Sequence, residues 1–141
     1  ANLFLGSGLF DLDAAVSAGI KGGLGTDRGA GTSMSMFKTM LNAYQVCNLR
    51  GQTLSPEGAF FLATLGGAEA LGLDQLIGNF QVGKEADLQV LNPVAIPLIE
   101  RRFQKTTTRS EELFALLALG DERCLVATYV LGDRGVTGHA H

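Results

Sequence analysis

The stretch Ile20-Lys21-Gly22-Gly23-Leu24-Gly25-Thr26-Asp27, continued by Arg28-Gly29-Ala30-Gly31-Thr32, restricts the possible folds more than any other part of the chain. Residues 20–24 read as a short buried strand kept slim by glycine. That strand must stop at Gly25-Thr26-Asp27, because glycine gives up extended order easily and tolerates positive φ. Asp27 therefore stands where a strand ends and a glycine-rich loop begins. In parallel α/β architectures this is the rim at which strand-end side chains meet a ligand. An aspartate there can equally close its own loop as an Asx-turn. The spacing alone leaves both readings open.

The rest of the chain limits what can surround this stretch. Its 141 residues are enough to bury one ordinary core. A net charge of -3 and the lack of a basic stripe argue against a nucleic-acid partner. No apolar run is long enough to span a bilayer and no leader pattern opens the chain, so the expectation is a cytoplasmic protein with no membrane partner. Cys47 and Cys124 lie far apart in apolar settings and read as buried thiols, not a disulfide framework. Glycine, at 19 residues without a period, implies many tight connections. The chain opens on Ala1 and not on methionine, which reads as a processed or excised piece.

Periodicity predicts a short helix over residues 9–18, with Leu9, Leu12, Ala15 and Val16 on one face and Gly19 beyond its end. A longer helix, capped by Thr32 or Ser33, runs to Leu49 with Met36, Met40, Leu41, Ala43, Tyr44 and Cys47 inward. Its methionines read as core filling. Ser55-Pro56 starts a third helix, and Gly66-Gly67 hinges a continuation that ends at Gly72. Farther on, Ile77-Gly78-Asn79-Phe80 and Gly83-Lys84 read as turns around short strands, and residues 86–91 as a strand closed by Asn92-Pro93. Arg101, Arg102, Lys105 and Arg109 fall in a polar interlude that reads as a solvated connection, with an anion site as its alternative. Ser110 is the expected cap of another helix, with Glu111 and Glu112 near its positive end. Residues 124–131 form the last strand, and Gly132-Asp133-Arg134-Gly135 the turn that ends it.

Four landmarks stand in order along these elements. They are Asn2-Leu3-Phe4-Leu5-Gly6-Ser7-Gly8-Leu9-Phe10; Gly23-Leu24-Gly25-Thr26-Asp27; Ala63-Thr64-Leu65-Gly66-Gly67-Ala68; and Ile77-Gly78-Asn79-Phe80 with Gly83-Lys84-Glu85-Ala86-Asp87-Leu88. Together they resemble the amidohydrolase superfamily, and most of all its guanine deaminase branch, from Asn2 to about Gly132. The resemblance implies an α/β fold: the C-terminal part of a metal-dependent-hydrolase (β/α)8 barrel plus part of a small β-sandwich. Residues 1–72 would be the barrel part, with residues 20–24 as its eighth strand, and residues 73–141 the sandwich segment with an inserted helix.

The activity so implied is hydrolytic deamination of guanine to xanthine and ammonia by water activated on zinc or iron, with the purine base as substrate. Asp27 falls on the aspartate that ends the eighth strand, which makes it the implied catalytic residue and metal ligand. A carboxylate touching both an ion and its bound water can accept the water's proton and help return one to the leaving amine. Asp87 falls on a turn position that supports the sandwich and is not catalytic.

The same resemblance asks for a His-x-His pair and two further single histidines on other barrel strands. The chain has only His139 and His141, at its very end, which read as tail residues. Arg28 also stands where the family pattern has a small or apolar residue. The expectation is a C-terminal segment that is inactive alone, binds no metal tightly, and associates with the missing barrel segment or with copies of itself. A reading of another class is a non-catalytic, self-associating α/β interaction domain derived from such an enzyme. A cytidine-type zinc deaminase is excluded, since His-x-Glu and Pro-Cys-x-x-Cys are absent.

Overall fold

The computed structural model describes residues 2–135. Two short helices come first, α1 (Asn2–Leu5) and α2 (Leu12–Ser17), and neither buries a residue. Helix α2 starts later than the apolar spacing predicts because Asp11 caps it, its carboxylate accepting from the Ala14 N–H at 3.0 Å. Residues 20–24 form no ladder, contrary to the expected strand. A strand needs a neighbour along its edge, and the bonds of this stretch run to helices, from the Ile20 N–H to the Ala15 carbonyl of α2 at 2.9 Å and from the Leu24 N–H to the Leu62 carbonyl at 2.9 Å.

Helix α3 (Met36–Leu49) is capped at Ser35 and not at Thr32 or Ser33. The Ser33 hydroxyl instead accepts from the Ser35 N–H at 3.0 Å, which holds the chain extended into the helix start. Helix α4 (Pro56–Ala63) begins as expected, with the Ser55 hydroxyl accepting from the Gly58 N–H at 3.0 Å and proline in the first turn. The chain breaks at Thr64, resumes as α5 (Leu65–Leu71), and ends on left-handed Gly72 (φ 70°).

Strand β1 (Leu88–Leu91) is followed by α6 (Pro97–Phe103), a helix that the sequence reading missed inside its polar interlude. Arg101 and Arg102 are solvated there, as read, but Ile99 on the opposite side is fully buried and anchors the helix. Helix α7 (Arg109–Leu119) is capped by Thr108, two residues before the expected Ser110. Thr108 and Glu111 form a reciprocal capping box. The N–H groups of Thr107 and Thr108 on the Glu111 carboxylate hold it below the usual carboxylate range.

Strand β2 (Leu125–Val130) pairs antiparallel with β1, Leu88 opposite Tyr129 and Val90 opposite Ala127, before the register shifts at Leu91. Strand β3 (Asp133–Arg134) pairs with the end of β2. The turn between them is Leu131-Gly132, both at positive φ, and not the Gly132–135 stretch expected from composition. Leucine at φ 53° is unusual, and two bonds from outside the hairpin hold the turn. The Leu131 N–H donates to Asp87 Oδ1 at 2.8 Å and the Gly132 N–H to the Ala86 carbonyl at 3.2 Å. Asp87 thus braces a turn.

The core lies among the helices. Met40 and Cys47 of α3, Leu54, Ala59 of α4 and Leu117 of α7 bury together, with the Tyr44 and Phe114 rings edge to face at 5.5 Å. A second cluster joins Ile96 and Ile99 to Leu116 and Cys124. The sheet shares little of this packing: Ala127 is buried, whereas Val90, Val126 and Val130 stay exposed.

Candidate functional site around Asp27

Asp27 sits at φ 53°, a left-handed conformation that aspartate tolerates better than most side chains. Its backbone carbonyl accepts from the N–H groups of Ala30 and Gly31 and so closes the loop. Gly31 is required there, because a Cβ would come within 2.0 Å of the Thr26 carbonyl oxygen. The loop is therefore sealed by main chain, not by the side-chain Asx-turn weighed from the sequence. The Asp27 carboxylate makes no hydrogen bond or ion pair among the described residues and is exposed.

Asp27 opens onto a cavity of about 290 Å³ between the Gly22–Gly25 backbone and α3. It is the only carboxylate in that lining, which is otherwise mainly apolar. Thr39, Asn42, Ala43 and Val46 contribute a single stripe of α3 at i, i+3, i+4 and i+7. The polar members of that stripe, Thr39 and Asn42, lie on a helix whose apolar spacing reads as core, and only their own i, i+3 spacing marks them in the sequence. Cys47 also lines the cavity; burial, aided by the Asp13 charge, pushes its thiol up.

A polar clasp joins the start of α2 to the end of α3. Arg50 pairs with the Asp11 carboxylate, Gln52 donates to Asp11 Oδ1 at 2.6 Å, and the Leu12 N–H donates to Gln52 Oε1 at 3.2 Å. Hydrogen bonds from the Ala14 N–H and Gln52, with Arg50 alongside, hold the Asp11 carboxyl below its ordinary range against the opposing effect of partial burial. The end of α3 is thus tied to the start of α2 across some forty residues of sequence.

Residues 1–134 match the amidohydrolase family. The chain belongs to that family. It is 51% identical over 132 residues to the guanine deaminase of Escherichia coli (strain K12), a match covering 94% of this chain and 30% of that protein. To the probable guanine deaminase of Deinococcus radiodurans it is 42% identical over 123 residues, covering 85% and 28% respectively. Among solved structures, E. coli guanine deaminase superposes with a TM-score of 0.93 at 48% identity, over 98% of this chain and 32% of that one. This amidohydrolase chain spans under a third of the length of the curated relatives it matches. No helix among the described residues is long and apolar enough to cross a membrane.

Metal dependence is general in the amidohydrolase family. Asp27 is one carboxylate on an exposed turn, and no group of three or more His, Cys, Asp or Glu side chains gathers among the described residues. Those residues do not by themselves fit a metal ion, which takes three or four protein ligands in zinc sites. His139 and His141 lie outside the described residues.

Proposed function

We propose that the chain is the C-terminal segment of a guanine deaminase, converting guanine and water to xanthine and ammonia. Residues 1–72 would be its closing barrel part, with residues 20–24 as the eighth strand beside strands supplied elsewhere, and residues 73–141 its sandwich segment. The identity to a guanine deaminase across 94% of the chain is the observation that carries this reading. Asp27, uncommitted and facing a cavity, is the residue on which it places the chemistry. Asp27 accepts the proton released as water adds to the amino-bearing purine carbon, and returns a proton to the departing ammonia. Zinc or iron would activate that water when bound, with Asp27 giving one oxygen to a ligand set these residues do not complete.

In the full-length protein, Asp27→Asn should lower kcat for guanine by about 10²–10⁴-fold with an unchanged melting temperature. Near-normal turnover would remove Asp27 from the reaction. The isolated chain should retain no stoichiometric zinc after dialysis and release no ammonia from guanine; metal analysis and an ammonia assay check both. Phe4, Phe10 and Ile20, all more than half exposed, are the surface the remaining barrel would cover, or a second copy in its absence. Sedimentation of the isolated chain tests for self-association, and a compact monomer would count against it.

A further inference from the structure

The segment that carries Asp27 lies against the break between α4 and α5, and the contact is backbone on backbone. At Thr64 the chain leaves helical geometry (φ -130°, ψ -100°). The Thr64 hydroxyl donates to the Phe60 carbonyl at 2.7 Å, which holds the departure in place. In an unbroken helix the Leu62 carbonyl would bond to the Gly66 N–H. Here it accepts the Leu24 N–H at 2.9 Å. Two glycines let the chains approach this closely. A Cβ on Gly23 would lie 2.5 Å from the Gly67 Cα, and one on Gly66 would lie 3.2 Å from the Gly22 carbonyl oxygen. A Cβ on Gly67, by contrast, would meet nothing nearer than the Leu62 carbonyl oxygen at 3.6 Å, an ordinary contact.

We propose that the α4–α5 break is a seat that sets the position of Asp27, with Gly23, Leu62 and Thr64 as positioning residues. The helix gives up one of its own bonds so that the Leu62 carbonyl is available to Leu24, three residues ahead of Asp27, and Gly23 provides the clearance. This rests on the deaminase reading, because it is Asp27 whose placement the seat serves. A displacement of about 1 Å at a reacting group can cost about 10²-fold in rate.

The test is a set of single variants in the full-length protein, read by guanine turnover and by hydrogen exchange at the Leu24 amide. Gly23→Ala should lower kcat by about 10²-fold, leave KM for guanine near the parent value, and expose the Leu24 amide to exchange. Gly67→Ala, which adds the same methyl on the open side of the contact, should leave both readouts near the parent's. Should Gly23→Ala not fold, Thr64→Val carries the test: loss of the hydroxyl should lower kcat and Leu24 protection, and Thr64→Ser should restore both. The seat is overturned if Leu24 exchanges freely in the parent, if Gly23→Ala or Thr64→Val keeps full kcat, or if Gly67→Ala is as damaging as Gly23→Ala. A parent protein that does not deaminate guanine would sink the functional reading, while Leu24 exchange would still decide whether the seat exists.

Discussion

In α3, α4 and α7 the buried side chains Met40, Cys47, Ala59 and Leu117 meet one another, whereas α1 and α2 bury none of theirs. Both regions are rich in apolar residues, so composition does not separate them. What separates them is where the complementary surface lies. The helical block finds its partners within the described chain, even though Leu117 and Met40 are far apart in sequence. Residues 2–31 touch that core only through the half-buried Leu12 and Leu24 and are otherwise tied to it by the Asp11 clasp to Arg50 and Gln52 and by the Leu24 bond to α4. The candidate chemistry, Asp27, sits in the region that buries little of its own surface and faces the well-packed one.

The sharpest way to break this contrast is a pair of truncations. Leu117→Ala should destabilise the chain by about 2–5 kcal/mol, since its side chain is almost wholly buried and leaves a cavity. Phe10→Ala, at 55% exposure, should shift stability by no more than about 0.5 kcal/mol despite removing a larger side chain. Chemical denaturation of both variants checks the pair, and similar losses would erase the distinction between the regions.

A smaller effect belongs to the helical block alone. Thr108→Ala removes one half of the capping box and should cost about 1 kcal/mol, visible as a lower denaturation midpoint with an unchanged slope.

The smallest effect sharpens the other side of the comparison. Asp11 is held ionised below its ordinary range, so its bonds contribute stability that is full above about pH 4 and is lost as pH falls through the lowered folded value. The Ala14 amide, which donates to Asp11, should report this in an NMR titration as a midpoint below about 3.9. A midpoint at or above that value would mean the clasp is open in solution.

Local chemistry explains which elements were readable. Ser55 capping α4 and Gly72 ending α5 were legible because each partner lies within a few residues. Thr108 was mistaken for Ser110 as a cap because both hydroxyls precede an acidic pair, and only the position of Glu111 three residues on separates them. Helix α6 was hidden by Arg101 and Arg102, since one buried residue, Ile99, is too faint a period to read. Asp27 was legible as the residue that heads a glycine-rich loop, but the Thr39 and Asn42 wall opposite it was hidden on a helix whose apolar face reads as core.

The sequence by itself determined the start of α4 at Ser55-Pro56, the end of α5 at Gly72, the amidohydrolase landmarks and the place of Asp27 at the head of a glycine loop. Those features depend on backbone preference and on bonds spanning three or four residues, which any window of the chain contains. Only the tertiary structure decided that residues 20–24 bond to a helix break and not to a ladder within this chain. It alone placed Leu117 in the core of α3 and α4, and put Asp87 under the Leu131-Gly132 turn. Each of these joins groups some forty or more residues apart, through an unspent carbonyl, a complementary face or a carboxylate within reach. No short-range pattern encodes which of many such groups will meet, because that is fixed by the packing of the whole.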